Sequence, residues 1–220
     1  PKPFDVLVID DNSPDGTAEI VRKKIDGYPG RIHLIERAGK LGLGTAYITG
    51  FKYCLEKGYE FICEMDADFS HNPADLVKLR EAALDGNADV AVGSRYVSGV
   101  NVVNWPMGRI LMSYYASKYV RLVTGLPIHD TTAGFVCYRR RVLEALPLDS
   151  IKFKGYAFQI EMKFTAHKYG FKVVEVPIIF VNRVLGTSKM SSGIFGEAVF
   201  GVIRLKWNSF FTRYPDYSRR

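Results

Sequence analysis

Apolar residues along this chain fall in short blocks divided by turn-forming stretches, and the spacing changes from block to block. Residues 4–10 (FDVLVID), 31–36, 59–65 and 88–93 (ADVAVG) are short, mostly apolar runs, which predicts buried strands. Residues 17–25 and 45–57 read as helices, the second after the glycine-punctuated loop Gly39 to Gly44. Asn72-Pro73 opens another helix, with Asn suited to the N-cap and Pro to the first helical position. Strands alternating with helices predict an α/β fold: a mostly parallel, Rossmann-like sheet covered by helices on both faces.

The second half is less regular. Trp105-Pro106 precedes a long amphipathic helix over 107–124, residues 134–138 and 173–181 read as strands, and 156–169 as a helix. From Gly193 to Phe211 the pattern is helical but apolar nearly all round, so that helix should be buried in protein or touch lipid. Arg204 and Lys206 within it suit an interfacial position, with stems in apolar surroundings and charged heads in water.

Composition narrows the function classes. With 220 residues, 47% of them hydrophobic, the chain is long enough for one large domain with a substantial core. Three widely spaced cysteines, Cys54, Cys63 and Cys137, read as reduced thiols of a cytosolic protein rather than a metal site or disulfide framework. No signal peptide and no apolar run of membrane-span length is visible. The net charge is +7, and residues 183–220 carry seven basic against two acidic residues. That segment is also rich in Phe, Ile, Val and Trp, which a merely solvated tail should not be. No nucleic-acid-binding motif accompanies the charge, so nucleic acid is not an expected partner.

Asp66-Ala67-Asp68 is the most informative local feature, because it follows the apolar run ending in Met65. Carboxylates two residues apart on an extended chain can face one cation. Mg²⁺ is commonly shared between one or two carboxylates and substrate phosphates. Ligands of α/β sheets bind outside the carboxyl ends of strands. The pair therefore points to a phosphate-bearing substrate handled through a metal. It is not an EF-hand loop, which would need Gly at the position of His71 and Glu at that of Val77. The four histidines, His33, His71, His129 and His167, form no ligand set and receive no role.

Five stretches then occur in a telling order: Asp10-Asp11-Asn12-Ser13 with Asp15-Gly16-Thr17; Lys40-Leu41-Gly42; Asp66-x-Asp68; Gly93-Ser94-Arg95-Tyr96; and Thr132-Ala133-Gly134-Phe135. This order resembles family 2 glycosyltransferases with the GT-A fold. Asn104-Trp105-Pro106 and Arg183-x-x-Gly186-x-Ser188-Lys189 are similar to the branch of dolichol-phosphate or polyprenol-phosphate mannosyltransferases. The resemblance spans essentially the whole chain. It implies a GT-A catalytic domain over 1–190, and a basic, apolar membrane-interface helix and tail over 191–220.

The resemblance also implies roles. Ile9, Asp11, Asp66, Ala67, Asp68 and Arg95 would bind the nucleotide sugar, with Asp11 recognising the base. Asp66 and Asp68 would hold Mg²⁺ or Mn²⁺. Arg109, Arg183, Ser188 and Lys189 would receive the acceptor phosphate, and Asp68, Arg95, Arg183 and Lys189 would carry catalysis. The implied reaction moves mannose from GDP-mannose to a polyprenyl phosphate with inversion. It would run at the cytoplasmic face of a membrane, by peripheral attachment or with a separate membrane-anchoring subunit. The same chemistry with UDP-glucose or another nucleotide sugar stays open, as does a non-enzymatic basic membrane-binding module. Nucleotidyl transfer would need a glycine-rich loop with a basic residue in the first strand–helix unit, and none is visible. Family members open with a strand carrying Pro-Thr-Tyr-Asn-Glu or similar, whereas this chain starts at Pro1 close to what should be the second strand. The expectation is that about thirty residues, the size of one strand-plus-helix unit, precede it in the native protein.

Overall fold

The computed structural model describes residues 4–84, 88–155, 157–182 and 192–218, with backbone alone over 192–198. The first half alternates as the apolar blocks predict: β1 (Val6–Asp10), α1 (Thr17–Gly27), β2 (Ile32–Glu36), α2 (Leu43–Glu56), β3 (Phe61–Glu64), α3 (Asp75–Leu84) and β4 (Val90–Ser94). Then come β5 (Val102–Val103), α4 (Met107–Thr124), β6 (Val136–Arg139), α5 (Arg140–Ala145), α6 (Ala157–Lys168), β7 (Val173–Pro177), β8 (Phe180–Val181) and α7 (Ser192–Phe211). Residues 173–181 thus form two strands rather than one. The break follows Pro177, whose ring nitrogen has no hydrogen to donate.

β1 and β2 pair in parallel, and β3, β6, β4 and β7 form a second sheet in that order. β6 runs antiparallel to both β3 and β4, whereas β4 and β7 are parallel. Among the described residues, β1 pairs with no strand besides β2, and β3 with none besides β6. α2 packs against both β1 and β3 and so spans the two ladders. The start of α2 lies tight against α6: a Cβ on Gly44 would come 2.7 Å from the Phe158 ring and 2.8 Å from the Phe153 carbonyl oxygen.

Side-chain alternation divides the core between two faces. Val136 and Tyr138 of β6, with Val90 and Val92 of β4, join Phe51, Val142, Phe158 and Met162 on the side of α2, α5 and α6. Phe135, Cys137 and Ala91 pack with Leu79 and Ala83 of α3 on the other. Helices therefore cover both faces of the sheet. The three cysteines are free thiols.

α4 and α7 pack together at one side of the domain. The Tyr119 hydroxyl donates to the Val199 carbonyl (2.9 Å), and the Lys206 ammonium donates to the Thr124 carbonyl at the end of α4 (3.2 Å). The apolar circumference expected of α7 is only partly covered: Val202 is buried, but Phe200, Trp207, Phe210 and Phe211 are each 64–77% exposed. Tyr115 and Leu122 of α4 are exposed as well. No helix among the described residues is long and apolar enough to cross a membrane.

Candidate functional site

A cavity of about 490 Å³ opens where β3, β4 and the segment before β6 meet α4. Its wall includes Asp66, Asp68, Arg95 and Arg109, four of the residues singled out from sequence, together with His71 and Trp105. Ile9, Asp11 and Ala67 are not among its lining residues, and Arg183, Ser188 and Lys189 lie outside the described residues.

The acidic pair sits just past β3, in a loop rather than on the strand itself. The loop is shaped by Phe69, which holds a left-handed φ of 63° and is almost fully exposed. A bulky residue in that region is uncommon and needs its surroundings to hold it. Asp68 provides part of that hold, accepting hydrogen bonds from the Ser70 amide (3.1 Å) and hydroxyl. The Val181 amide of β8 donates to the Ser70 carbonyl (3.1 Å), which ties the loop to the other side of the cavity.

Asp66 is oriented from α2. The half-buried Tyr47 donates from its hydroxyl to the Asp66 Oδ1 (3.2 Å), and the Tyr47 ring stacks on Phe158 at 5.8 Å and 8°. Burial, with Glu64 and Asp66 nearby, raises the Tyr47 pKa well above the ordinary phenol value, so the hydroxyl keeps its proton. Sequence reasoning missed Tyr47 because nothing local ties a helix residue to a carboxylate 19 positions away.

Arg95 is fixed by Asp130. Its Nε and Nη2 donate to the two carboxylate oxygens (2.6 and 2.7 Å), and its backbone amide donates to Oδ2 (3.0 Å). Nη2 also donates to the Thr132 hydroxyl (2.9 Å). Asp130 is fully buried; burial would raise its pKa, but the Arg95 charge and hydrogen bonds outweigh it and the pKa is lowered. The segment carrying Asp130 is in turn held by Glu175 of β7, whose carboxylate accepts from the amides of His129 (2.7 Å) and Asp130 (2.8 Å). Arg109 lies 4.1 Å over the Trp105 ring and donates to the Asn182 side chain (2.9 Å).

Asp11, at the end of β1, makes a two-pronged pair with Arg37 (2.6 and 2.7 Å), and Arg37 also donates to Thr45 (2.8 Å). Beneath the cavity, Lys163 is fully buried and donates to the Ala133 carbonyl (2.6 Å). Burial pulls its pKa down to about 8 and pushes that of Glu64 up to about 8, and each offsets part of the other's shift. Glu64 had a sequence signal, a charged residue ending an apolar strand, whereas Lys163 sits in a helix of mixed apolar and polar residues and had none.

Two carboxylates on one wall are a donor set for a hard divalent cation whose other ligands come from phosphate oxygens and water. Among the described residues no group of three or more His, Cys, Asp or Glu could hold a metal ion by itself. The donor set fits a metal that arrives with its substrate rather than one caged by protein.

Residues 1–146 match the family described as glycosyl transferase family 2. The chain is 48% identical over 197 residues to polyprenol monophosphomannose synthase of Mycolicibacterium smegmatis, covering 90% of this chain and 74% of that protein. It is 49% identical over 200 residues to undecaprenyl-phosphate mannosyltransferase of Micrococcus luteus, covering 91% and 81%. Among solved structures, glucosyl-3-phosphoglycerate synthase from Mycobacterium tuberculosis with Mn²⁺, UDP and phosphoglyceric acid aligns with a TM-score of 0.62 at 18% identity, over 97% of this chain and 69% of that one. A mannosyltransferase from Pyrobaculum calidifontis with GDP-Man and Mn²⁺ aligns with a TM-score of 0.57 at 17% identity, over 96% and 56%. The chain belongs to glycosyl transferase family 2, with the α/β GT-A fold, and is a glycosyltransferase.

Proposed function

We propose that this enzyme transfers a mannosyl group from GDP-mannose to a polyprenyl phosphate, with inversion, at a membrane surface. The observation that carries the reading is near-half identity, over nine-tenths of the chain, to two proteins named for forming polyprenyl-linked mannose. A cavity lined by two carboxylates and two arginines is consistent with that reading.

Asp66 and Asp68 would hold Mg²⁺ or Mn²⁺ against the donor diphosphate. When bound, the metal offsets charge on the departing nucleotide. The acceptor is a phosphate monoester with a second pKa near 6, so at neutral pH it already carries a nucleophilic oxyanion. One phosphate oxygen forms a bond to the sugar anomeric carbon. The bond from that carbon to the donor diphosphate breaks, and the nucleotide diphosphate leaves with the electron pair. No side chain has to remove a proton, so the chain's work is to position two anions and relieve their repulsion. Arg109 lies on the cavity wall for that purpose. Arg95, locked by Asp130, offers a fixed guanidinium rather than a mobile one. Asp11, Arg183, Ser188 and Lys189 keep the roles implied by resemblance, base recognition for the first and phosphate contact for the others.

The exposed aromatic face of α7 and its neighbours on α4 would rest in the headgroup region. Amphipathic elements bind there without crossing the bilayer.

A transfer assay tests the reading. GDP-mannose and UDP-glucose are offered in parallel with polyprenyl phosphate, Mg²⁺ or Mn²⁺, and a chelator control. Metal-dependent lipid-linked mannose is expected. Product from UDP-glucose alone would replace the donor, and product undiminished by chelator would remove the metal. Asp68→Ala should abolish transfer while lipid binding persists; lipid binding without transfer in the wild type would favour a binding module.

A further inference from the structure

The charged groups of the cavity are engaged with protein partners: Asp66 with Tyr47, Asp68 with Ser70, Arg95 with Asp130 and Arg109 with Asn182. Two neutral groups of the same wall differ. His71 Nδ1 and Trp105 Nε1 are buried and have no hydrogen-bond partner among the described residues. His71 is only 6% exposed. Buried polar atoms are nearly always paired, because leaving one unpaired is costly in a folded protein.

Their setting is aromatic. The His71 ring lies 4.9 Å from Phe135 and 5.1 Å from Phe180, edge-on to the latter at 85°. The Trp105 ring lies 5.2 Å from the same Phe180 at 71°. Phe180 is the common neighbour that holds both rings to the wall. The Ser70–Val181 hydrogen bond fastens β8 to the acidic loop beside them.

The ring faces here already carry cations, with Arg109 4.1 Å over Trp105 and Arg95 5.6 Å from both Trp105 and Phe180. The cavity thus supplies arginines for phosphate and carboxylates for a cation, and the neutral, aromatic edge at His71 and Trp105 is left for the uncharged part of the ligand. Such a setting complements a ligand with hydroxyls on its edges and C–H groups on its faces, which is the chemistry of a pyranose ring. We propose that His71 and Trp105 contact the transferred sugar of the nucleotide-sugar donor, His71 through a hydroxyl, and that they set sugar selectivity. The proposal rests on the reading of this cavity as the donor site. Nδ1 is shielded from the open cavity in this structure, and contact with a bound hydroxyl requires the ring to turn about its soft χ2 torsion.

The test measures direct binding by calorimetry with Mn²⁺, pairing each nucleotide sugar with its nucleotide: GDP-mannose with GDP, and UDP-glucose with UDP. The sugar should add affinity in the wild type. His71→Phe keeps an aromatic ring but no hydrogen-bonding atom; it should weaken the favoured nucleotide sugar about tenfold and leave its nucleotide unchanged. His71→Gln should restore part of the loss. Trp105→Phe deletes the N–H within an aromatic frame and gives the same comparison if His71→Phe does not fold. Equal losses for nucleotide and nucleotide sugar would overturn the inference, and so would no loss in either variant. A wild type that binds none of the four would remove the donor-site reading and the inference with it. A wild type that binds them normally, with variants unchanged, would remove the inference alone.

Discussion

Asp130 grips Arg95 through both carboxylate oxygens, at 2.6 and 2.7 Å, from a position where Asp130 itself meets no solvent. The pair fixes a guanidinium at the cavity wall and spends part of its charge before any substrate arrives. Removing one member of a buried pair leaves the other charge uncompensated, which costs about 3–5 kcal/mol. Asp130→Ala should therefore lower the unfolding free energy by roughly that amount, read by urea denaturation. Arg95→Lys should reduce transfer although the charge is kept, because an ammonium cannot make the two-pronged contact. Unchanged stability in Asp130→Ala would mean that the pair does not hold the segment.

Tyr47 offers a gentler intervention. Tyr47→Phe keeps the stack on Phe158 and removes only the hydroxyl that donates to Asp66. Stability should change by no more than about 1 kcal/mol, the net worth of one hydrogen bond. The apparent affinity for Mn²⁺ in the presence of GDP should fall several-fold as Asp66 loses its orientation. Titration of metal binding in wild type and variant reads this directly, and equal affinities would leave the phenol a packing role only.

Lys163 predicts a pH dependence. Its folded pKa of about 8 lies below its ordinary value of 10.5, so the folded state releases the proton more readily than the unfolded state. The associated stability is fully present above 10.5 and is lost as pH falls through about 8. Wild type should therefore gain stability relative to Lys163→Met between those limits, by up to ~3 kcal/mol. Denaturation curves at a series of alkaline pH values check it; a difference independent of pH would contradict the buried-charge account.

The α4–α7 surface makes a physical prediction separate from catalysis. Phe210→Ser with Phe211→Ser removes two exposed rings from α7. Sedimentation with anionic vesicles should fall at least several-fold, while thermal stability stays within about 0.5 kcal/mol, since exposed side chains contribute little to the fold. Sedimentation equal to wild type would place the lipid contact elsewhere.

Much of this molecule could be read from residue order. Short apolar runs gave strands close to their observed limits, and the amphipathic segment 107–124 matches α4 (Met107–Thr124) residue for residue. The acidic pair could be nominated from its place after a legible strand, and Arg95 and Arg109 from the family resemblance; all four line one cavity. Strand order was not legible. Nothing in Val136–Arg139 announces that it runs antiparallel between β3 and β4, because a buried strand looks the same in either direction.

Local chemistry was thus determined by the sequence itself: periodicity selects helix or strand, and an acidic turn after a strand nominates an edge for a cation. Partnership was decided only by the tertiary structure. Asp130 reaches Arg95 across 35 residues, Tyr47 reaches Asp66 across 19, and Lys163 reaches the Ala133 carbonyl across 30. Those pairings depend on where packing sets each element. The tight seat of Gly44 against Phe158 fixes how α2 lies on α6, and with it the side on which Tyr47 emerges. A hydrogen bond is short-ranged and directional, so a small change in that seat would leave the same residues in the same order without the same site.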